Sequence, residues 1–183
     1  YKRQAPPLVV EIPRPDREPP QAARSFPIVW SVQATGGIGD LDLTFELLRN
    51  GEAPQTMQSG AETTWRWQPQ EEGLYQVRVV ARDEQGNSRT GPWTTLYRIV
   101  PALEVNRPDT VIVPPRMLGS VEVPWTVQAK GGFDGKTYTF AVRQPDGKVI
   151  DMPESPQPEW LWTPEVPGPH QVRVTVTDTK GNE

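Results

Sequence analysis

From Phe26 to Ala34 every second residue is apolar: Phe26, Ile28, Trp30, Val32 and Ala34 fall on one face, and Val29, Ser31 and Gln33 on the other. A period of two sends successive side chains to opposite sides of an extended backbone, so the run predicts a strand with one buried face. The pattern returns in Leu41, Leu43, Phe45 and Leu47, and again in Trp65 and Trp67. It is clearest in Tyr75, Val77, Val79 and Ala81, with Gln76, Arg78 and Arg82 opposite. Leu8 to Ile12 and Trp93 to Val100 add candidate strands at either end of this stretch. Turn signals stand between the strands: the glycines of Thr35-Gly-Gly-Ile-Gly-Asp40, the Asn50-Gly51 pair, the Pro69 to Gly73 corner, and Asp83-Glu-Gln-Gly-Asn87. Pro13 to Pro20, with four prolines among charged residues, reads as an extended surface connection that packs nothing. Short strands and tight turns over about ninety residues fit a Greek-key sandwich.

The whole pattern then recurs. An offset of 95 carries Leu8 onto Leu103, Trp30 onto Trp125, Phe45 onto Phe140 and Trp65 and Trp67 onto Trp160 and Trp162. It also carries Pro69 onto Pro164, Gly73 onto Gly168 and Asp83 onto Asp178. The expected fold is therefore all-β, two tandem immunoglobulin-like β-sandwich modules over residues 8–101 and 102–183. Residues 1–7 resemble Tyr97-Arg-Ile-Val-Pro-Ala and read as the end of a preceding module or a linker. The link at Pro101 is short, which predicts an elongated pair with limited bending.

Two departures from the repeat stand out. Pro124 takes the place of Val29, so that strand is expected to start late, to bulge or to turn that position outward. Glu183 corresponds to Ser88, so the second module has no counterpart of Arg89 to Val100, its last strand. The edge beside Gln171 to Asp178 is then expected either to pair with another chain, with Tyr1 to Ala5 as a candidate donor, or to mark a truncated module.

Composition narrows the function classes. Twenty-two prolines argue against long helices. A net charge of -4 with interspersed signs offers no basic stripe for nucleic acid or for an anionic membrane surface. No apolar run approaches the ~20 residues needed to span a bilayer. The absence of cysteine excludes disulfides, thiolate metal sites and thiol catalysis.

Each candidate for chemistry has a structural reading beside it. The paired tryptophans could stack a sugar or peptide, but their recurrence at matching places favours core packing. Tyr75 stands where a tyrosine corner would bond back to nearby backbone, and His170, the one histidine, stands at the matching position. A lone histidine supplies no catalytic dyad. Asp83 with Asn87, and Asp178 with Asn182, read as side-chain-capped turns rather than calcium ligands, since Glu84 becomes Thr179 in the second copy. Glu71-Glu72 and Asp40 with Asp42 read as solvated turn carboxylates. No phosphate-binding glycine loop, nucleophile elbow or metal-ligand spacing is found, so no catalytic, cofactor or metal residue is assigned. The aromatics not shared by both copies, Trp93, Phe133 and Tyr138, are the candidate contacts for a ligand or partner.

The order Trp-x-Trp-x-Pro, Gly-x-Tyr-x-Val-x-Val and Asp-x-x-Gly-Asn, preceded by Ala-x-Gly-Gly and an aromatic-rich strand, resembles bacterial immunoglobulin-like repeats. It is most similar to the triple-tyrosine-motif domains and their PKD and fibronectin type III relatives. His170 departs from the family's tyrosine. The resemblance implies a non-catalytic spacer or scaffold in an exported bacterial protein of the periplasm or cell surface, with neighbouring domains of the same protein as partners. A glycan- or protein-binding module and the extracellular part of a membrane sensor are the alternatives.

Overall fold

The alternating runs Leu41–Arg49 and Gly73–Asp83 pair antiparallel, placing Leu43 opposite Ala81, Phe45 opposite Val79 and Leu47 opposite Val77. Paired residues share a face, and in the computed structural model of the chain all six are buried. The structure describes residues 5–112 and 121–183, and no helix occurs among them. The chain divides into two compact units, Tyr1–Pro101 and Ala102–Glu183. Residues 1–4 of the segment compared above with Tyr97 to Ala102 lie outside the described residues.

Unit 1 contains β1 (Val9–Val10), β2 (Arg14–Pro15), β3 (Gln21–Ala22), β4 (Ile28–Ser31), β5 (Ala34–Thr35) and β6 (Leu41–Arg49). It continues with β7 (Gln55–Gly60), β8 (Thr64–Trp67), β9 (Gly73–Asp83), β10 (Ser88–Thr90) and β11 (Tyr97–Val100). One sheet runs β2-β4-β8, with Trp30 opposite Trp65. A larger one runs β3-β11-β9-β6-β7, with β10 also on β9, and β1 and β5 form a separate pair. Rings from the two sheets meet between them: Phe45 and Trp65 have centroids 6.0 Å apart, Tyr75 and Trp67 4.8 Å, and Tyr97 and Trp30 5.3 Å. This is a β-sandwich with an aromatic core, and each large side chain so buried contributes on the order of 1.5–3 kcal/mol. Asn50 and Gly51 both take positive φ, 48° and 77°, and the Glu52 N–H donates to the Arg49 carbonyl at 2.8 Å. That closes the tight turn the dipeptide predicts.

Several stretches differ from their sequence reading. Pro13 to Pro20 does pack: Arg14–Pro15 is an edge strand on β4, Pro13 is buried, and Asp16 Oδ1 accepts the Val29 N–H at 2.8 Å. An edge position is where a strand tolerates proline. Phe26, expected inward, is 42% exposed beneath the Arg17 guanidinium, because regular pairing begins only at Ile28. The polar stretch after Asn50 holds β7, whose mostly exposed residues hide any alternation. Leu8 to Ile12 shortens to β1, and Trp93 to Val100 shortens to β11.

Unit 2 contains β12 (Glu104–Val105), β13 (Val123–Thr126), β14 (Ala129–Lys130), β15 (Thr137–Arg143), β16 (Val149–Asp151), β17 (Glu159–Trp162) and β18 (Gln171–Thr177). Trp125 lies opposite Trp160 in the β13–β17 pair, repeating Trp30 and Trp65. Phe140 lies opposite Val174 in the β16-β15-β18 sheet, repeating Phe45 and Val79. Pro124 keeps its place inside β13. Two residues on, the Thr126 N–H donates to the Asp109 carbonyl rather than to β17, so the proline nitrogen shares that outer side and removes no ladder bond. Among the described residues nothing pairs with the other edge of β18.

Candidate functional site

The polar groups that stand out in the repeat are held by the framework. The Tyr75 hydroxyl donates to the Glu71 carbonyl at 2.8 Å, forming the expected corner, while its ring stands edge-on to Trp67 at 63°. His170 reproduces the ring contact: 4.8 Å and 64° from Trp162. Its shorter side chain brings Nδ1 to 3.0 Å from the Gly168 carbonyl instead. Burial raises the Tyr75 hydroxyl above its ordinary pKa, with the neighbouring Arg49 charge opposing, and Tyr97 is raised first by burial and then by the nearby Asp16 and Glu18 charges.

Asp83 and Asp178 are the tightest polar nodes. Asp83 accepts from the Ile38, Gln85 and Asn87 amides at 3.1, 3.1 and 2.9 Å and from the Asn87 side chain at 2.9 Å. Asp178 accepts from the Phe133, Lys180 and Asn182 amides at 2.9, 2.9 and 3.1 Å and from the Asn182 side chain at 2.7 Å. Each carboxylate thus clasps its own turn and the glycine loop across the sheet. Asp83 is held below the usual carboxylate range, first by the Asn87 side chain. At Asp178 burial pushes upward, but the Asn182 side chain and the amides outweigh it and the net direction is again down. The turn reading of these residues foresaw the local bonds; the link to Ile38 and Phe133 was beyond it, because it spans 45 residues.

Trp93, Phe133 and Tyr138 do not form one site. Trp93 is half-buried with the Arg78 guanidinium 4.3 Å from its ring centroid, and Arg78 Nε donates to Glu46 at 2.6 Å. Phe133 is half-buried in the loop after β14, where its backbone N–H serves the Asp178 clasp. Tyr138, expected at the surface, is a core residue at 9% exposure, packed with Val127, Phe140 and Val176. The signal was available: the repeat offset carries Tyr138 onto Leu43, an inward position of β6.

A concavity that single-residue reasoning missed reaches across β16, β15 and β18. It has a volume of about 930 Å³ and is lined by Val105 to Pro108, Trp125, Ala141, Arg143, Gly147, Val149 and Gln171 to Val174. Its lining mixes apolar residues with Asn106, Gln171 and three arginines, and it includes no carboxylate and no histidine. Among the described residues no three His, Cys, Asp or Glu converge as a metal cage, and no helix is long and apolar enough to cross a membrane.

No protein-family model matches the chain, and no curated protein matches it in sequence. Among solved structures it is similar to the fibronectin(III)-like modules of Clostridium thermocellum CbhA, at 18% identity over 95% of this chain and 88% of that one, with a TM-score of 0.38. It is also similar to the FN1-FN3 domains of chicken CNTN1, at 13% identity over 96% of this chain and 64% of that one, with a TM-score of 0.42. The fold itself rests on the strand pairing and ring packing within each unit: an all-β chain of immunoglobulin-like sandwiches.

Proposed function

We propose that the chain is a non-catalytic spacer or scaffold within a larger exported bacterial protein of the cell envelope. The observation that carries the reading is the duplicated use of polar groups. Asp83 and Asp178 each spend both carboxylate oxygens on the same clasp, and Tyr75 and His170 each sit against the same tryptophan. Groups committed to matching framework bonds in two copies are not free for proton transfer or ligation. Export is supported by the resemblance to bacterial immunoglobulin-like repeats.

The test is replacement in the parent protein. Exchanging both units for two unrelated β-sandwich modules of equal length is expected to preserve its function, whereas a Gly/Ser linker of equal residue count is expected to impair it. A glycan array probed with the chain is expected to stay blank. A specific glycan signal abolished by Trp93→Ala would overturn the spacer reading in favour of a binding module.

A further inference from the structure

The large sheet of unit 1 ends on β7, and among the described residues no strand pairs with the outer edge of β7. The bonding of β6 shows which main-chain groups are left there. The Asn50 N–H donates to the Leu74 carbonyl at 2.8 Å, so by alternation Leu48, Glu46, Thr44 and Asp42 bond to β9, while Leu47, Phe45 and Leu43 bond to β7. Their partners on β7, Gln55, Gln58 and Gly60, spend their main-chain groups on that side. The N–H and carbonyl groups of Thr56 and Ser59 therefore point away from the sheet. The register shift after Phe45 takes up Met57 as one extra residue, which keeps Thr56 and Ser59 in step along the edge.

Apart from that bulge, nothing blunts the edge. Sheets guard an edge with charge or proline, and residues 55–60 read Gln-Thr-Met-Gln-Ser-Gly. Unit 2 shows the guarded form of the same strand. The repeat carries Thr56 onto Asp151, Gln58 onto Pro153 and Ser59 onto Glu154. The register is kept: Glu46 opposite Thr56 becomes Ala141 opposite Asp151, and Leu43 opposite Gly60 becomes Tyr138 opposite Ser155. The strand there is cut to Val149–Asp151, against six residues in unit 1.

We propose that β7 is a self-pairing edge, through which two copies of unit 1 join antiparallel about a two-fold axis and continue their large sheets into one. Thr56 of one copy lies opposite Ser59 of the other, and Ser59 opposite Thr56, each pair exchanging two main-chain bonds. Both side chains stand on the outer face, since Thr56 is opposite Glu46 and Ser59 opposite Thr44, so the hydroxyls meet across the new pair as Thr44 and Ser59 already do at 2.6 Å. Met57, 40% exposed, lies beside the axis. Charge selects a second copy as the occupant. In this register Glu52 falls opposite Thr63 and Glu62 opposite Ala53, so no like charges meet. The same pairing in unit 2 would set Asp151 against Glu154 twice, which is destabilising and confines the contact to unit 1. The pairing does not rest on the spacer reading.

The chain itself is the probe. Sedimentation equilibrium is expected to show a reversible monomer–dimer exchange. Hydrogen exchange of the Thr56 and Ser59 amides is expected to slow by more than about tenfold from dilute to concentrated protein, while the Gln58 and Gly60 amides, bonded within the sheet, do not respond. The double variant Thr56→Asp/Ser59→Glu, which brings in the residues of unit 2, is expected to be monomeric with the Val77 and Val79 amides as protected as before. A second variant, Thr56→Lys/Ser59→Lys, is expected to be monomeric alone and to form a mixed dimer with the first, because lysine then faces carboxylate at both pairs. A monomer at every concentration up to about 1 mM would overturn the proposal. So would a dimer that persists in the acidic variant, the absence of a mixed dimer from the two folded variants, or protection of Thr56 and Ser59 that does not change with concentration.

Discussion

Trp30 and Trp125 hold the same place in the repeat, opposite Trp65 and Trp160 respectively, yet Trp30 is 1% exposed while Trp125 is half-buried. The same contrast runs along the facing strand, where Val77 and Val79 are sealed and Val172 and Val174 are not. The residue types match, the cross-strand register matches, and the ring pairs Phe45–Trp65 and Phe140–Trp160 have nearly equal separations of 6.0 and 5.8 Å. What differs among the described residues is the cover: in unit 1 Ser88 to Thr90 and Tyr97 to Ile99 pair with β9, while no described strand pairs with the corresponding edge of β18. In unit 1 the lateral strand finishes the core. Unit 2 keeps a smaller dry cluster of Val127, Tyr138, Phe140 and Val176, close to the Asp178 clasp.

The largest expected effect separates the two tryptophans. Trp30→Ala removes a sealed side chain and leaves a closed cavity under Tyr97, so unit 1 is expected to lose about 3–5 kcal/mol. Trp125→Ala opens space that already faces a groove, and the loss in unit 2 is expected to be at most about half as large, because half-exposed atoms return less transfer energy and enclose no cavity. Denaturant-dependent hydrogen exchange of the β9 and β18 amides reads each unit separately. Equal losses would break the comparison and mean that Trp125 is covered in solution.

The all-β class and the long strands were legible because the period of two persists through β6, β9, β15 and β18, and because the repeat supplied an internal check. The edge strands were not. β7 shows no alternation since few of its residues are buried, and β2 is disguised by Pro13 and Pro15, which propensity reads as non-strand although an edge tolerates them. Tyr138 was misplaced because a large aromatic absent from the first copy suggested a ligand contact, when its repeat partner Leu43 already marked the position as inward. The concavity of unit 2 was not legible in single residues, because it gathers residues as far apart in sequence as Val105 and Val174.

The next effects probe what the units share and what they do not. Asp83 and Asp178 are both held below the usual carboxylate range, so their contribution is present above the unfolded value of about 3.9 and is lost as pH falls through their lower folded values. Acid titration is expected to weaken both units in parallel below about pH 4, and Asp83→Asn and Asp178→Asn are expected to flatten that response each in its own unit. An acid-sensitive unit beside an insensitive one would show the two clasps to be unequal. At the other end of the scale the difference returns. Burial raises Tyr97, so its contribution is present below the unfolded value of about 10 and is lost as pH rises beyond it, in unit 1 alone. Tyr97→Phe keeps the ring on Trp30 but removes the hydroxyl bond to the Arg17 carbonyl, a loss of about 1 kcal/mol, and is expected to reduce the alkaline sensitivity seen by the β9 amides.

The smallest effect is also the most specific. His170 presents its ring to Trp162 with the geometry that Tyr75 presents to Trp67, but it lacks the hydroxyl that Tyr75 sends to Glu71. The repeat carries Glu71 onto Val166, so a tyrosine at position 170 would place its hydroxyl near the Val166 carbonyl. His170→Tyr is therefore expected to strengthen unit 2 by up to about 1 kcal/mol, the net worth of one such bond, read from exchange of the β18 amides. Tyr75→His is expected to cost unit 1 more, since it removes the same bond from a site that is only 4% exposed. If Tyr75→His weakens unit 1 while His170→Tyr leaves unit 2 unchanged, the corner draws its strength from the neighbouring β11, where Tyr97 lies opposite Tyr75, and not from the ring and its hydroxyl alone. That result would tie the last local difference between the units to the same covering segment that separates Trp30 from Trp125.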